Sequence, residues 1–210
     1  MMSAALLVMS LGASAAPVPA PAVLKPLPGE VVELKAVDGW VLKAVWEKAA
    51  EGRPTLLLLH GTGQRKEDWR IFARALAEAG DGYMAVDLRG HGESRTSPSG
   101  EAFSYKKLRA TKLVNDYADM TRDAEAAVAY LMVQGVPEET IGVVGAEVGG
   151  SVGVKYAAVH PKTPLVIMLS PGLAWQEIPL VNAVRAFKGR NTPFGGRQLL
   201  SAPVVSDSVF

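Results

Sequence analysis

The sequence contains no cysteine and only three histidines, His60, His91 and His160. The absence of cysteine excludes thiolate metal ligands, and no two of the histidines have the close H-x-x-x-H spacing of a zinc-binding helix. We therefore predict neither a metal site nor a bound cofactor. A chain without cysteine also fits an oxidising compartment, but many cytosolic chains share this feature, so it does not prove one.

The sequence also lacks an excess of charge of either sign, because 22 basic residues nearly balance 21 acidic ones and leave a net charge of +1. This balance argues against nucleic acid as a partner. The short basic clusters at 106–109 and 185–190 are predicted to be solvated surface. A long apolar run is missing too: the apolar segment near the N-terminus, Ala4 to Leu11, has about eight residues and is too short to cross a membrane.

The N-terminus resembles an export signal. Its apolar core ends at Gly12, and Ala13-Ser14-Ala15 offers the small residues that a signal peptidase reads, although no lysine or arginine precedes the core. We predict a signal peptide over 1–15, a proline-rich linker over 16–29 and a secreted or periplasmic protein. The alternative is a disordered Ala/Pro-rich leader on a cytosolic protein.

The rest of the chain alternates short apolar runs with helical patterns. Thr55 to Leu59 is continuously apolar after its first residue, as in a strand buried on both faces, and Tyr83 to Asp87 and Ile141 to Val144 are further strands. The other predicted elements are a hairpin of 31–35 and 41–46 across Asp38-Gly39, helices at 66–79 and 113–134, a helix from Gly150 to Val159, and a sixth strand at 164–169.

A glycine-rich turn joins the strand at 141–144 to the following helix. Its sequence, Gly145-Ala146-Glu147-Val148-Gly149, has the G-x-S-x-G pattern of a nucleophile elbow with a glutamate at the serine position. A second register places Ser151 at that position, within Gly149 to Gly153. That register forces a strand through three glycines, which are poor strand residues. A small residue on a tightly packed helix is the simpler interpretation of Ser151.

Three motifs in this order, L-L-L-L-H-G at 56–61, V-D-L-R-G-H-G-E-S at 86–94 and G-x-E-x-G-G at 145–150, closely resemble the α/β-hydrolase family over residues 30 to 175. The resemblance implies an α/β fold, with a mostly parallel sheet and helices on both faces. It also implies an oxyanion hole made by the backbone N–H groups of Thr62 and Val148, with His60 and Gly61 lining the cleft.

The resemblance also implies a catalytic acid and a histidine that follow the nucleophile in the chain. No histidine follows residue 160, so the triad is incomplete. Each histidine has a structural explanation: His60 is hydrogen-bonded within the H-G turn, His91 has a turn or solvent-facing role, and His160 favourably ends a helix.

Glu147 is then open to two interpretations. Some members of the family attack with an aspartate carboxylate, but the resulting ester still needs a histidine to activate water, and glutamate is one methylene longer. Alternatively, the carboxylate folds back at the helix N-terminus, fills the oxyanion hole and repels an ester transition state.

The C-terminal part departs from the family pattern. We expect an irregular tail over 190–210 in a single domain of 30–210. A complete hydrolase of this type has about 250 residues or more, so we expect truncation after about the sixth strand, for instance by a frameshift near Arg190. The strand at 164–169 would then be an exposed apolar edge and a site of self-association.

These observations leave three hypotheses for function. The chain is a secreted α/β-hydrolase-like protein without activity on esters, with at most a small-molecule ligand in its cleft. Alternatively, it is a true hydrolase of an ester-type or similar small substrate, or a truncated gene product without activity.

Overall fold

The computed structural model describes residues 25–188 and 198–202. The predicted signal peptide at 1–15 and the linker up to residue 24 lie outside the described residues. The strands are β1 (Glu30–Lys35), β2 (Val41–Glu47), β3 (Thr55–Leu59), β4 (Gly82–Val86), β5 (Ile141–Ala146), β6 (Leu165–Leu169) and β7 (Gln198–Ala202); the α-helices are α1 (Arg70–Glu78), α2 (Thr121–Val133), α3 (Val148–Val159) and α4 (Val181–Lys188).

All seven strands form one sheet in the order β1-β2-β4-β3-β5-β6-β7. The hairpin β1–β2 and the pair β2–β4 are antiparallel, and the other four pairs are parallel. The carboxyl ends of β3, β4, β5 and β6 therefore meet at one edge of the sheet, where loops in such folds carry function. The predicted class, a mostly parallel sheet with helices on both faces, is confirmed.

The central strand β3 shows why helices cover both faces. All five of its residues are buried. Leu56 and Leu58 pack in one apolar cluster with α1, and Leu57 and Leu59 pack in the other with α2 and α3. Successive side chains of a strand point to opposite faces, so an uninterrupted leucine run needs a helical layer on each.

The helix predicted at 113–134 begins later than expected. A 3₁₀ turn at Ala118–Met120 leads into α2 at Thr121. Residues 109–116 form a loop closed by the ion pair of Arg109 Nε with Asp116 Oδ2 at 3.0 Å. Leu113 is 97% exposed. Its apolar side chain belongs to that loop, so apolar spacing alone misplaced the helix start.

The expectation of an exposed edge at the sixth strand is wrong. β7 pairs with β6 in parallel over its whole length, from Leu165 opposite Gln198 to Leu169 opposite Ala202. The tail expected to be irregular over 190–210 therefore contains a strand at 198–202. Since backbone groups alone make these ladder bonds, a short strand needs no clear apolar pattern. Because β6 is paired on both sides, the structure gives no reason to expect self-association through this strand.

The last part of the predicted linker packs on the domain. Leu27 is 8% exposed and belongs to the α1-side cluster. The carbonyl oxygen of Pro26 accepts a hydrogen bond from Arg74 Nη2 at 2.8 Å, and that of Pro28 accepts one from the Tyr83 hydroxyl. Residues 26–28 are thus an ordered part of the fold. Within the described ranges, no helix has the length and apolar character needed to span a membrane.

Candidate functional site

Glu147 lies on the turn between β5 and α3 with φ 48° and ψ −115°. This positive-φ conformation lies outside the left-handed helical region and costs a residue with a β-carbon roughly 1–3 kcal/mol. The turn is held by two backbone bonds, from Glu147 N to Leu169 O at 2.9 Å and from Ser151 N to Glu147 O at 3.2 Å. The chain therefore forms the sharp strand-to-helix turn of a nucleophile elbow, with a glutamate on it.

The neighbouring glycine explains why the turn fits. A β-carbon at Gly149 would lie 2.2 Å from the carbonyl oxygen of Leu59 and 2.6 Å from that of His60. Only a glycine allows α3 to start this close to the end of β3. The backbone of the elbow is thus encoded by small residues and does not depend on the side chain at position 147.

The competing register with Ser151 as nucleophile is wrong. Ser151 is fully buried within α3, four residues beyond the strained turn. Its hydroxyl has no hydrogen-bond partner within the described part of the chain. It is a small residue at a tight helix contact.

The carboxylate of Glu147 lies against the loop that follows β3. A β-carbon on Gly61 would be 2.8 Å from Glu147 Oε2 and 2.9 Å from Gln64 Oε1. Gln64 Oε1 also accepts a hydrogen bond from Gly61 N at 2.9 Å. The side chain of Glu147 makes no capping hydrogen bond to the N-terminus of α3. The carboxylate is therefore at the oxyanion loop, but it is not fixed there by the helix.

The two predicted oxyanion donors belong to the residues that follow Gly61 and Glu147 in the chain. Val148 is the first residue of α3 and is fully buried, and Thr62 is half-buried in the loop after β3. Among the contacts of residues 25–188 and 198–202, neither backbone N–H donates to a protein acceptor. The carboxylate of Glu147 lies against Gly61, the residue before Thr62.

The loop after β6 covers Thr62. Gln176 Nε2 donates to Thr62 Oγ1 at 3.4 Å, and Asn115 Nδ2 donates to the carbonyl oxygen of Gln176 at 2.8 Å. Gln176 and Glu177 both have positive φ, 49° and 58°. Sequence reasoning missed Gln64, Asn115 and Gln176, because polar loop residues carry no periodic signal.

His60 is buried and supports two loops. Its Nδ1 donates to the carbonyl oxygen of Gly61 at 2.8 Å, and its Nε2 accepts from Leu88 N at 3.0 Å. Burial lowers the pKa of this imidazole. The ring is 1% exposed, so it does not line an open cleft as expected, whereas the predicted hydrogen bond within the H-G turn is present. Neither ring nitrogen is available to act on Glu147.

His91 is also buried, which contradicts a solvent-facing role. Its Nδ1 donates to the carbonyl oxygen of Arg89 at 3.0 Å, and its ring stacks on Tyr105 with centroids 4.6 Å apart. Burial, and second the neighbouring imidazole of His60, lower the pKa of His91 to about 4. The imidazole is thus neutral near pH 7, with the proton on Nδ1 because a carbonyl can only accept.

His160 lies at the far end of α3. It stacks on Tyr156 with centroids 4.0 Å apart, and its Nδ1 is 3.8 Å from Glu138 Oε1. The helix between Glu147 and His160 has twelve residues and is about 18 Å long. His160 therefore cannot serve as the base at the elbow, and no other histidine exists in the sequence.

A buried ionic network lies under the oxyanion loop. Lys66 is 2% exposed, and its Nζ bonds Asp87 Oδ2 at 2.8 Å, Glu67 Oε1 at 2.9 Å and the carboxylate of Glu93. Burial alone would lower the pKa of Lys66, but these three carboxylates raise it above its usual value. Asp87 further accepts from the backbone N–H groups of Lys66 and Glu93 at 2.7 and 2.8 Å. The network joins the loop after β4 to the loop after β3.

Comparisons with known proteins agree with this fold. A family model described as "Serine aminopeptidase, S33" matches residues 50–202. The sequence is 30% identical to protein phosphatase methylesterase 1 of Mus musculus over 132 residues, which are 62% of this chain and 30% of that protein. It is 27% identical to an uncharacterized protein of Mycobacterium tuberculosis over 181 residues, 85% of this chain and 45% of the relative.

Among solved structures, the chain resembles the α/β-hydrolase GrgF from Penicillium sp. sh18. The TM-score is 0.56 at 22% identity, over 69% of this chain and 46% of GrgF. At this identity the likeness concerns the fold alone. The chain thus spans less than half the length of each of these three relatives.

Proposed function

We propose that this chain, which belongs to the serine aminopeptidase S33 family of α/β-hydrolases, is exported and has no activity on esters. One observation carries the proposal: the elbow is formed, and a glutamate occupies it with its carboxylate against Gly61. Serine hydrolysis needs an oxygen nucleophile, a histidine base and an oxyanion hole. Only the last has matching groups here, the N–H groups of Thr62 and Val148.

The electrostatics of the site support the loss of activity. Acyl transfer places negative charge on an oxygen between the two backbone donors. The carboxylate of Glu147, which lies against Gly61 next to Thr62 in the chain, would repel that charge instead of stabilising it. The three histidines offer no general base at the elbow, because His60 and His91 are buried with lowered pKa values and His160 is at the other end of α3.

A direct test measures hydrolysis of short acyl esters by the purified full chain. We expect no turnover above background, since loss of the nucleophile or histidine in such triads costs about a million-fold. Glu147→Ser should also be inactive, because no imidazole is placed to activate the new hydroxyl. Burst kinetics from Glu147→Ser, or wild-type turnover that Glu147→Gln abolishes, would contradict the proposal.

The second candidate is a hydrolase in which Glu147 is itself the nucleophile. The backbone of Glu147 favours this candidate, because φ 48° and ψ −115° form the elbow turn at this residue, and its carboxylate lies against Gly61 in the loop after β3. Such an enzyme would open an epoxide: a Glu147 carboxylate oxygen attacks a ring carbon, the ring C–O bond breaks, the freed oxygen takes a proton from water, and a hydroxyalkyl ester of Glu147 remains. Intact mass of the protein after exposure to an epoxide would reveal a covalent adduct that Glu147→Gln lacks. An unchanged mass would exclude this candidate for the compounds tested.

Export rests on residues 1–15, and we further propose cleavage after Ala15. The apolar core and the small residues before the cleavage point support it. Mass spectrometry of the protein from its native host should find Ala16 as the first residue, and a mature N-terminus at Met1 would contradict secretion. A small-molecule ligand in the former cleft is compatible with the free donors of Thr62 and Val148.

A further inference from the structure

The connection between β4 and α2 contains a short hairpin at residues 109–116, which we name the 109–116 hairpin. Its base is closed by Asp116, whose Oδ2 accepts from Arg109 N at 2.8 Å and from Arg109 Nε at 3.0 Å. Its tip is a turn in which Thr111 N donates to Val114 O at 2.9 Å and Val114 N donates to Thr111 Oγ1 at 3.0 Å. Hydrogen bonds therefore fix the hairpin at both its base and its tip.

The tip of the 109–116 hairpin presents an apolar side chain to solvent. Leu113 is 97% exposed, and the neighbouring Val114 is 39% exposed. Because the hydrogen bonds of the tip hold its backbone, the loop cannot turn this leucine toward the protein. Burial of Leu113 therefore requires a surface outside the chain.

The loop after β6 adds to this apolar surface. Leu173 is 82% exposed, and Val181 at the start of α4 is 48% exposed. Asn115 Nδ2 donates to the carbonyl oxygen of Gln176 at 2.8 Å, which joins this loop to the hairpin. Because Leu113 and Leu173 are only two and three residues from the bonded pair, their Cα atoms lie no more than roughly 25 Å apart. Exposed apolar side chains that are grouped in this way mark an interaction surface.

Unpaired lysines accompany the apolar tip. Three exposed lysines lie on the hairpin and on the turn before it: Lys106, Lys107 and Lys112. In the described part of the chain no carboxylate is within ion-pair distance of them. Asp116 is paired with Arg109, and the exposed carboxylates of the adjoining loops are Glu101 and Glu177. Since two carboxylates offset much of the lysine charge, the apolar tip must supply most of the binding and the lysines a smaller share.

We propose that the 109–116 hairpin binds the surface of an anionic lipid membrane, with Leu113 inserted below the headgroups and Lys112 among the phosphates. Interfacial anchors combine an apolar residue with adjacent lysine or arginine. Protein interfaces, in contrast, are depleted in lysine and enriched in tyrosine, tryptophan and arginine. Gln176, which is bonded to the hairpin, also donates to Thr62 Oγ1 at 3.4 Å. A membrane bound by the hairpin therefore lies near the oxyanion loop.

Binding of the full chain to vesicles of phosphatidylcholine, with and without phosphatidylglycerol, tests the proposal by co-sedimentation. We expect binding to vesicles that contain phosphatidylglycerol, and binding to phosphatidylcholine alone that is weaker by about fivefold, the factor for one lysine near an anionic surface. Raised salt should reduce this preference, because it screens the lysines. All variants keep residues 1–24, so any contribution of the apolar segment at 4–11 is the same in each.

Variants of exposed residues avoid a folding defect. Leu113→Ser should weaken binding to the anionic vesicles by roughly tenfold, since it removes most of the inserted side chain. Val133→Ser should leave binding unchanged, because Val133 is 82% exposed at the end of α2, on the opposite edge of the sheet. Lys112→Gln should weaken binding by about fivefold, whereas Lys48→Gln, just after β2 on that opposite edge, should have no effect. Glu147→Gln should bind like the wild type, which separates this surface from the elbow.

Three results would overturn the proposal: no binding to the anionic vesicles, equal binding to both vesicle compositions, or an undiminished affinity in Leu113→Ser. Light scattering tests a protein partner of the same kind of surface, a second copy of this chain. Self-association that Leu113→Ser abolishes, in a protein that does not bind vesicles, would also overturn the proposal and would make the hairpin a protein interface.

Discussion

The elbow and the Lys66 network both adjoin the loop that follows β3, but they differ in whether their side chains match their surroundings. At the elbow the backbone has the shape of a hydrolase, while its side chain cannot do the family's chemistry. In the Lys66 network every buried charge has a partner within hydrogen-bond distance. The difference indicates that the fold depends on the network and on the glycines of the elbow, and not on the residue at 147.

Removal of the buried cation should have the largest effect. Lys66→Met leaves the carboxylate of Asp87, which is fully buried, without its cation. Breaking one partner of a buried pair costs about 3–5 kcal/mol of unfolding free energy. Lys43→Met removes an exposed pair with Glu33 and should cost about 0–1 kcal/mol. Urea unfolding of both variants checks this, and similar small losses for the two would show that the network does not hold the fold.

The backbone of the elbow should be almost as sensitive. Gly149→Ala places a β-carbon 2.2 Å from the carbonyl oxygen of Leu59, and backbone atoms cannot move aside cheaply. We expect a loss of at least about 3 kcal/mol. Gly52→Ala is the control: it also introduces a β-carbon, at φ 73° but with no atom within 4 Å, and should cost about 1–2 kcal/mol. A Gly149→Ala protein with the control's stability would mean that α3 can shift away from β3.

Much of this contrast could be predicted from the sequence. Short apolar runs and glycine-rich turns gave β3, β4, β5 and the elbow, because local steric rules and burial on both faces leave a direct pattern. The position of Glu147 on the turn could be predicted for the same reason, since the flanking glycines define the elbow. The local hydrogen bond of His60 to Gly61 was also foreseen, since adjacent residues can form it in any such turn.

The remaining features depend on contacts between distant parts of the chain. Lys66 meets Asp87 across 21 positions and Glu93 across 27, and nothing in a lysine after a strand specifies that pairing. β7 was missed because its sequence, Gln-Leu-Leu-Ser-Ala, has one apolar pair and neither a continuous apolar run nor a clear alternation. The helix start was predicted wrongly at Leu113, because the sequence does not distinguish an apolar residue exposed in a loop from one buried in the core.

The pH dependence of the unfolding free energy should reveal the buried, neutral state of His91. The pKa of His91 falls from 6.5 to about 4 in the folded protein, so the unfolded state binds more protons between these values. Stability should then decrease as the pH falls through this window, by about 1.4 kcal/mol per pH unit for one histidine. In His91→Gln this contribution should disappear, while the contribution of His60, whose pKa is also lowered, persists. Urea titrations at several pH values compare the slopes, and identical slopes would contradict the buried neutral state of His91.

The smallest expected effect is at the elbow side chain, and its sign is opposite to the others. Glu147→Gly removes a β-carbon from a residue at φ 48° and ψ −115°, which relieves roughly 1–3 kcal/mol of backbone strain. The variant also loses a carboxylate near a helix N-terminus, a contribution of roughly 0.3–1 kcal/mol. We therefore expect a net stabilisation of about 1 kcal/mol, whereas the same substitution within α2, Glu125→Gly, should destabilise by about 1 kcal/mol. Thermal and urea unfolding measure both. If Glu147→Gly were instead clearly destabilising, the carboxylate would be a structural part of the elbow, and the contrast with the Lys66 network would fail.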